Sequence, residues 1–214
     1  MATIQQSASR WFECWRNPTE FFCLARQQGA LIPPSKHLPT YFREAYVAGL
    51  FARILHEHNP CSVRLVPTKE EPPDFQLKQN ENTLGFENVI ADKPDRKMWE
   101  DHAKWDAILK IGGIIPTEKS AERRKYMSEA IPKRVEEKIT KYQKKQINMS
   151  KINLLIYLNT GPALSEKEMV HLTEPYKDNF QSIWMLCGSD AVRAWPERQV
   201  LSAQQDPFEC TRVG

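Results

Sequence analysis

The chain has 214 residues, a net charge of +3, an apolar fraction of 41% and six tryptophans. That is enough for one sizeable hydrophobic core and excludes an intrinsically disordered chain. No apolar run approaches the roughly 18 residues of a membrane span, and Met1–Gln6 has no basic flank leading into an apolar segment, so a cytoplasmic protein without a membrane partner is expected.

Ser9–Gln28 carries Trp11, Phe12, Trp15, Phe21, Phe22 and Leu24, which reads as one or two helices broken at Asn17-Pro18. Trp11 and Trp15 share a helix face, suited to packing on the domain or a second subunit, or to stacking on bases. After a proline-marked loop, the spacing of Phe42, Ala45, Val47, Ala48, Phe51, Ile54 and Leu55 predicts a helix over roughly Thr40–His58. The period then changes. Ser62–Val66 reads as a strand and Lys69–Pro73 as a turn. Two alternating segments follow, Pro73–Lys78 and Thr83–Glu87, joined by Gln79-Asn80-Glu81-Asn82 as the loop of a β-hairpin whose second strand runs on to Ala91. Residues 95–130 mix apolar helical spacing with Gly112-Gly113 and Pro116 and read as an insertion. Pro132 suits the first turn of a helix running to about Ile147, with Ile131, Val135, Ile139 and Tyr142 as its apolar stripe and Lys138 bordering it. Ile152–Leu158 is a near-continuous apolar strand of the doubly covered kind. A helix over Glu166–Lys177, a strand at Ser182–Cys187 and a polar tail complete the reading.

Cys14, Cys23, Cys61, Cys187 and Cys210 are odd in number and widely spread, with no Cys-x-x-Cys pair, which fits reduced thiols in a cytosolic protein and gives no zinc signature. The histidines show no metal-ligand spacing. Residues 119–151 hold eleven Lys or Arg against four Glu, a local excess of +7 that leaves −4 elsewhere. A phosphate-binding surface would look like this, and so would a solvated helix face.

The chemistry lies in the hairpin. If Lys78 pairs with Thr83 and Leu77 with Leu84, then Asp74 falls opposite Glu87, where directly opposed Cβ atoms are roughly 5 Å apart on one face. Like charges there destabilise a sheet, and a hard divalent cation such as Mg²⁺ would reconcile them.

Pro73-Asp74 entering the second strand, Glu87 in the third, and the element order together resemble the PD-(D/E)XK nuclease superfamily over roughly residues 40–160. The resemblance implies a restriction-endonuclease-like α/β fold, a mixed sheet flanked by helices with core order αβββαβ. It would occupy residues 40–214, with residues 1–39 as an N-terminal helical extension. It implies Asp74 and Glu87 as ligands of Mg²⁺ (or Mn²⁺), with a carbonyl near Asn88 completing the set. Glu87-Asn88-Val89 departs from the motif, because Val89 stands where the lysine belongs. Some members carry that lysine on the following helix, which points to Lys138, and Glu44 on the preceding helix is the candidate additional acid. The implied function is metal-dependent hydrolysis of phosphodiester bonds in nucleic acid, DNA rather than RNA. Lys133, Arg134, Lys141, Lys144 and Lys145 would hold the backbone, and the protein could form a homodimer. The competing readings are a nuclease fold that binds nucleic acid without cleaving it, and a module that contacts a protein partner.

Overall fold

The computed structural model describes residues 10–30, 40–67, 69–70, 72–92, 108, 120–158, 164–204 and 210. Most of the expected insertion at 95–130 lies outside these residues.

A helical turn at 10–12 leads to helix α1 (Pro18–Ala30). Asn17 starts α1: its side-chain oxygen accepts the Thr19 N–H at 2.9 Å, and Pro18 takes the first helical position, where no N–H is needed. Helix α2 (Thr40–His58) buries Phe42, Ala45, Leu50, Phe51 and Ile54. It crosses α1 closely at Gly49, where a Cβ would lie 2.8 Å from Phe22 Cα. Phe12, Phe21 and Phe22 share one apolar cluster with α2 and with Phe75, Phe86, Leu155, Tyr157 and Trp184 of the sheet.

Seven strands then form one sheet in sequential order: β1 (Ser62–Leu65), β2 (Phe75–Gln79), β3 (Asn82–Ala91), β4 (Asn153–Leu158), β5 (Ser182–Cys187), β6 (Asp190–Trp195) and β7 (Gln199–Ser202). The first three are antiparallel, β3, β4 and β5 run parallel, and β5, β6 and β7 return to an antiparallel meander. Parallel neighbours need a crossover. Helix α3 (Ser120–Lys144) lies between β3 and β4 in the chain, and α4 (Glu166–Thr173) between β4 and β5. The fold is therefore mixed α/β, and every residue of β4 and β5 is buried because both sheet faces are covered. Helices α1 and α2 share a cluster with one face. Tyr126, Met127, Ile131 and Val135 of α3 and Met169 of α4 share the other with Val89, Leu154, Ile156 and Met185.

A buried polar chain ties the starts of the parallel strands. Asn153 Nδ2 donates to Gly85 O at 2.9 Å, Ser182 Oγ donates to Asn153 Oδ1 at 2.6 Å, and Trp184 Nε1 donates to Ser182 Oγ at 2.9 Å. Asn153, Ser182 and Trp184 thus satisfy one another's buried polar atoms, which avoids the cost of leaving them bare.

Several expectations need correction. The hairpin has the expected register, but Gln79 pairs with Asn82, so its loop is only Asn80-Glu81, with Asn80 at φ 52°. Pro132 sits inside α3 instead of opening it. A proline costs one rung of the helical ladder, and burial of Tyr126, Met127 and Ile131 carries the helix through it. The helix from Glu166 ends its α-helical part at Thr173 and continues as a 3₁₀ turn, Glu174–Tyr176, with Pro175 inside. The polar tail contains β6 and β7, reached through a tight turn with Gly188 at φ 60°. A disulfide joins Cys23 to Cys210, Cα–Cα 5.6 Å, which overturns the all-reduced reading and removes the thiol argument for a cytosolic protein. Among the described residues no helix is long and apolar enough to cross a membrane.

Candidate functional site

Asp74 stands just before β2, and its backbone is held on both sides: its N–H donates to Phe86 O at 3.0 Å, and its carbonyl accepts the Val66 N–H at 3.0 Å. Pro73 packs on Gly85 of β3 so closely that a Cβ there would meet Pro73 Cγ at 2.8 Å. The glycine therefore admits the proline that precedes Asp74. Phe75 and Phe86 are the last pair of the ladder, and Asp74 and Glu87 lie just beyond it with both side chains reaching α3.

Lys138 of α3 arrives from above. Its Nζ lies 3.6 Å from Asp74 Oδ2 and in direct ion pair with Glu87 Oε2. The three side chains are 10%, 0% and 14% exposed for Asp74, Glu87 and Lys138. Asp74 Oδ2 also accepts the Asn88 N–H at 2.8 Å, while Glu87 Oε1 makes no well-formed hydrogen bond. Burial pushes the Glu87 carboxyl up to about 7, helped by the negative charge of Asp74. The Lys138 ammonium and the Tyr142 hydroxyl pull it back without cancelling the rise. For Lys138, burial disfavours the charge, but Asp74 and Glu87 outweigh it and raise its pKa. Two acids and one cation thus share a small, nearly dry space in which a proton on Glu87 is available near neutrality.

The other candidates are spread more widely. Asn88 contributes its backbone: alternation sends its side chain to the α2 face with Phe86, where Oδ1 is buried without a hydrogen-bond partner. Asn88 lies beyond the last antiparallel pair of the hairpin, and its N–H is the group that reaches Asp74. Glu44 is half-buried on α2, which packs on the sheet face opposite α3. Lys133, Arg134, Lys141 and Lys144 are exposed on α3 and Lys145 is exposed in the turn that follows it, and Arg134 is ion-paired with Glu137 at 2.9 Å. Among the described residues no group of three or more His, Cys, Asp and Glu could hold a metal ion. Tyr142 belongs to the site and was read from sequence only as part of the apolar stripe. Its spacing of four from Lys138 was the available signal.

No family model matches this chain, and no curated protein matches it. A solved structure that does match is a protein of unknown function from Pseudomonas aeruginosa, described as a member of the monooxygenase superfamily. It is 17% identical, with 88% of this chain and 87% of that one covered at a TM-score of 0.40. These findings correct the expected membership of the PD-(D/E)XK superfamily. No family model matches, and among the described residues no group of three ligands stands where the resemblance requires a metal site. The physical reason lies in the incomplete triplet: Val89 is 8% exposed and packs in the apolar cluster with Met127 and Val135, where the motif calls for a lysine. The nuclease reading, its non-cleaving alternative and DNA binding are not carried forward. At that identity and TM-score the likeness assigns neither fold nor activity to this chain, and monooxygenase chemistry is not adopted either.

Proposed function

We propose that Asp74, Glu87 and Lys138 form an acid–base centre that takes a hard divalent cation, Mg²⁺ or Mn²⁺, and performs polar chemistry on an oxygen held beside it. The observation carrying this reading is the convergence of three ionisable side chains from separate segments onto one nearly buried spot, with Glu87 driven up to about 7. The donors suit such an ion. They are two buried carboxylates, with the backbone carbonyls of β3 beside them, all hard oxygens, and the Lys138 ammonium already occupies the place of a positive charge between them. Asp74 and Glu87 would hold the cation, with the Asn88 carbonyl as a further donor. When bound, it supplies positive charge that makes a coordinated water more acidic. In the cation-free centre Glu87 can accept or return a proton, because its carboxyl then titrates within the working range of a general acid or base, and a bound cation would hold it as the carboxylate. Lys138 balances the carboxylates, and its ammonium can turn toward a developing negative charge. Asp74 keeps its orientation through the Asn88 N–H.

Mn²⁺ titration followed by calorimetry at pH 6 and pH 8 tests the reading. Binding is expected to be weaker at pH 6 by about tenfold, because Glu87 is then largely protonated and a ligand carboxylate must lose its proton. Glu87→Gln and Asp74→Asn should each abolish it. No heat at either pH, or unchanged binding in both variants, would show the cluster to be a buried ion pair of structural value only.

A further inference from the structure

We infer that Tyr142 is a positioning residue of this centre, its ring face holding the Lys138 ammonium between the two carboxylates. The inference rests on reading Asp74, Glu87 and Lys138 as a functional centre. Tyr142 follows Lys138 by one helical turn, and Lys138 Nζ lies 5.5 Å from the centre of its ring. Tyr142 is only 3% exposed. Its backbone is fixed as well, since Tyr142 O accepts the N–H groups of Lys145 at 3.1 Å and Ile147 at 3.0 Å where α3 ends. A lysine ammonium has three protons and no acceptor capacity. Asp74 Oδ2 and Glu87 Oε2 face two sides of this one, and the electron-rich ring face offers a further attractive surface. Without it, the flexible four-carbon stem of Lys138 could swing toward the solvent side of α3, where Lys141 already lies, 6.0 Å from the same ring.

Two substitutions separate ring from hydroxyl. Tyr142→Phe keeps the face, and Tyr142→Met fills the space with a flexible chain that lacks it. The first readout is the rate of reductive methylation of Lys138 relative to Lys133, followed by mass spectrometry below the melting temperature of every variant. We expect the ratio to rise about tenfold in Tyr142→Met and to stay native in Tyr142→Phe. The second is Mn²⁺ affinity at pH 9, where Glu87 is ionised, compared with Tyr142→Phe so that loss of the hydroxyl beside Glu87 is common to both. It is expected to be tighter by up to about tenfold in Tyr142→Met, because a loosened ammonium competes less well for the carboxylates. A native ratio in Tyr142→Met, an equal rise in Tyr142→Phe, or the same acceleration at Lys133 would each overturn the inference. Selective release of Lys138 with no Mn²⁺ binding in any variant would uphold Tyr142 as the holder of Lys138 and refute the cation reading instead.

Discussion

Lys138→Met is expected to destabilise the protein by about 3–5 kcal/mol at pH 8, the usual cost of leaving a buried charge uncompensated. The methionine keeps most of the stem's apolar contact, so the loss reports the missing ammonium more than missing packing. Glu87 has no exposed surface, and Asp74 is only 10% exposed, so neither carboxylate can turn to water for relief. Protonation is the remaining escape. Glu87 is already raised to about 7 with Lys138 present, and Lys138 is one of the groups holding it down, so its removal lifts that carboxyl further. The loss should therefore shrink at pH 5.5, where Glu87 is protonated in the variant and the native protein alike. The sign for the native protein follows the same logic. A carboxyl raised in the folded state binds its proton more tightly there than in the unfolded chain. Its contribution to stability is complete below about 4.5 and is lost as pH rises through about 7. Glu87→Gln should flatten that part of the profile. If Asp74 and Glu87 take a divalent cation, Mn²⁺ should return part of the lost stability to Lys138→Met by occupying the ammonium's place. Melting curves at pH 5.5 and pH 8, with and without Mn²⁺, decide this. An equal loss at both pH values with no rescue would mean that the charges matter less than the packing around them.

Cys210→Ser should cost up to about 5 kcal/mol on the loop-entropy account, because the Cys23–Cys210 bond spans 187 residues of sequence. Loss of the bond releases a long stretch of the unfolded chain, and Cys23 is buried among the phenylalanines of α1 and α2. Cys14, Cys61 and Cys187 are free. Burial pushes the Cys61 and Cys187 thiols up to about 12, so both stay protonated and make poor attackers of the existing bond. Thiol titration of the denatured, unreduced protein should therefore find three groups, and five after reduction. Melting with and without reductant supplies the energetic check. Five reactive thiols before reduction, together with an unshifted melt in Cys210→Ser, would remove the disulfide from the account.

The parts of this molecule that repeat a simple period were legible from sequence. Helix α2 was readable because its apolar residues recur at helical spacing over five turns, and β4 and β5 because unbroken apolar runs of that length fit doubly covered strands. The pairing of Leu77 with Leu84 follows from alternation alone, and it brings Asp74 and Glu87 to the same end of the hairpin. The start of α3 was not legible, since tertiary burial of Met127 and Ile131 overrides the local meaning of Pro132. Strand β6 is not legible because Asp190–Trp195, as long as β4 and β5, carries charged residues at its first and fourth positions where those strands are apolar. Its best signal was the Gly188-Ser189 turn after β5. The cysteine pairing depends on two segments far apart in the chain meeting at α1, which no spacing rule reveals. The family resemblance failed for a related reason. It rested on two short motifs, and the third position that would have made them specific is a valine.

The backbone of Arg16 exchanges hydrogen bonds with Val63, N–H to carbonyl in both directions at 3.0 Å, outside the seven-strand ladder. It lies along β1, the first strand of the sheet, whose N–H and C=O groups would otherwise be an invitation to a strand from another molecule. The leading segment therefore serves as a selvage for the sheet as well as a source of core aromatics. Clipping the chain ahead of α1 would convert a finished border into a sticky one, and self-association would rise even with the Asp74–Glu87–Lys138 centre intact.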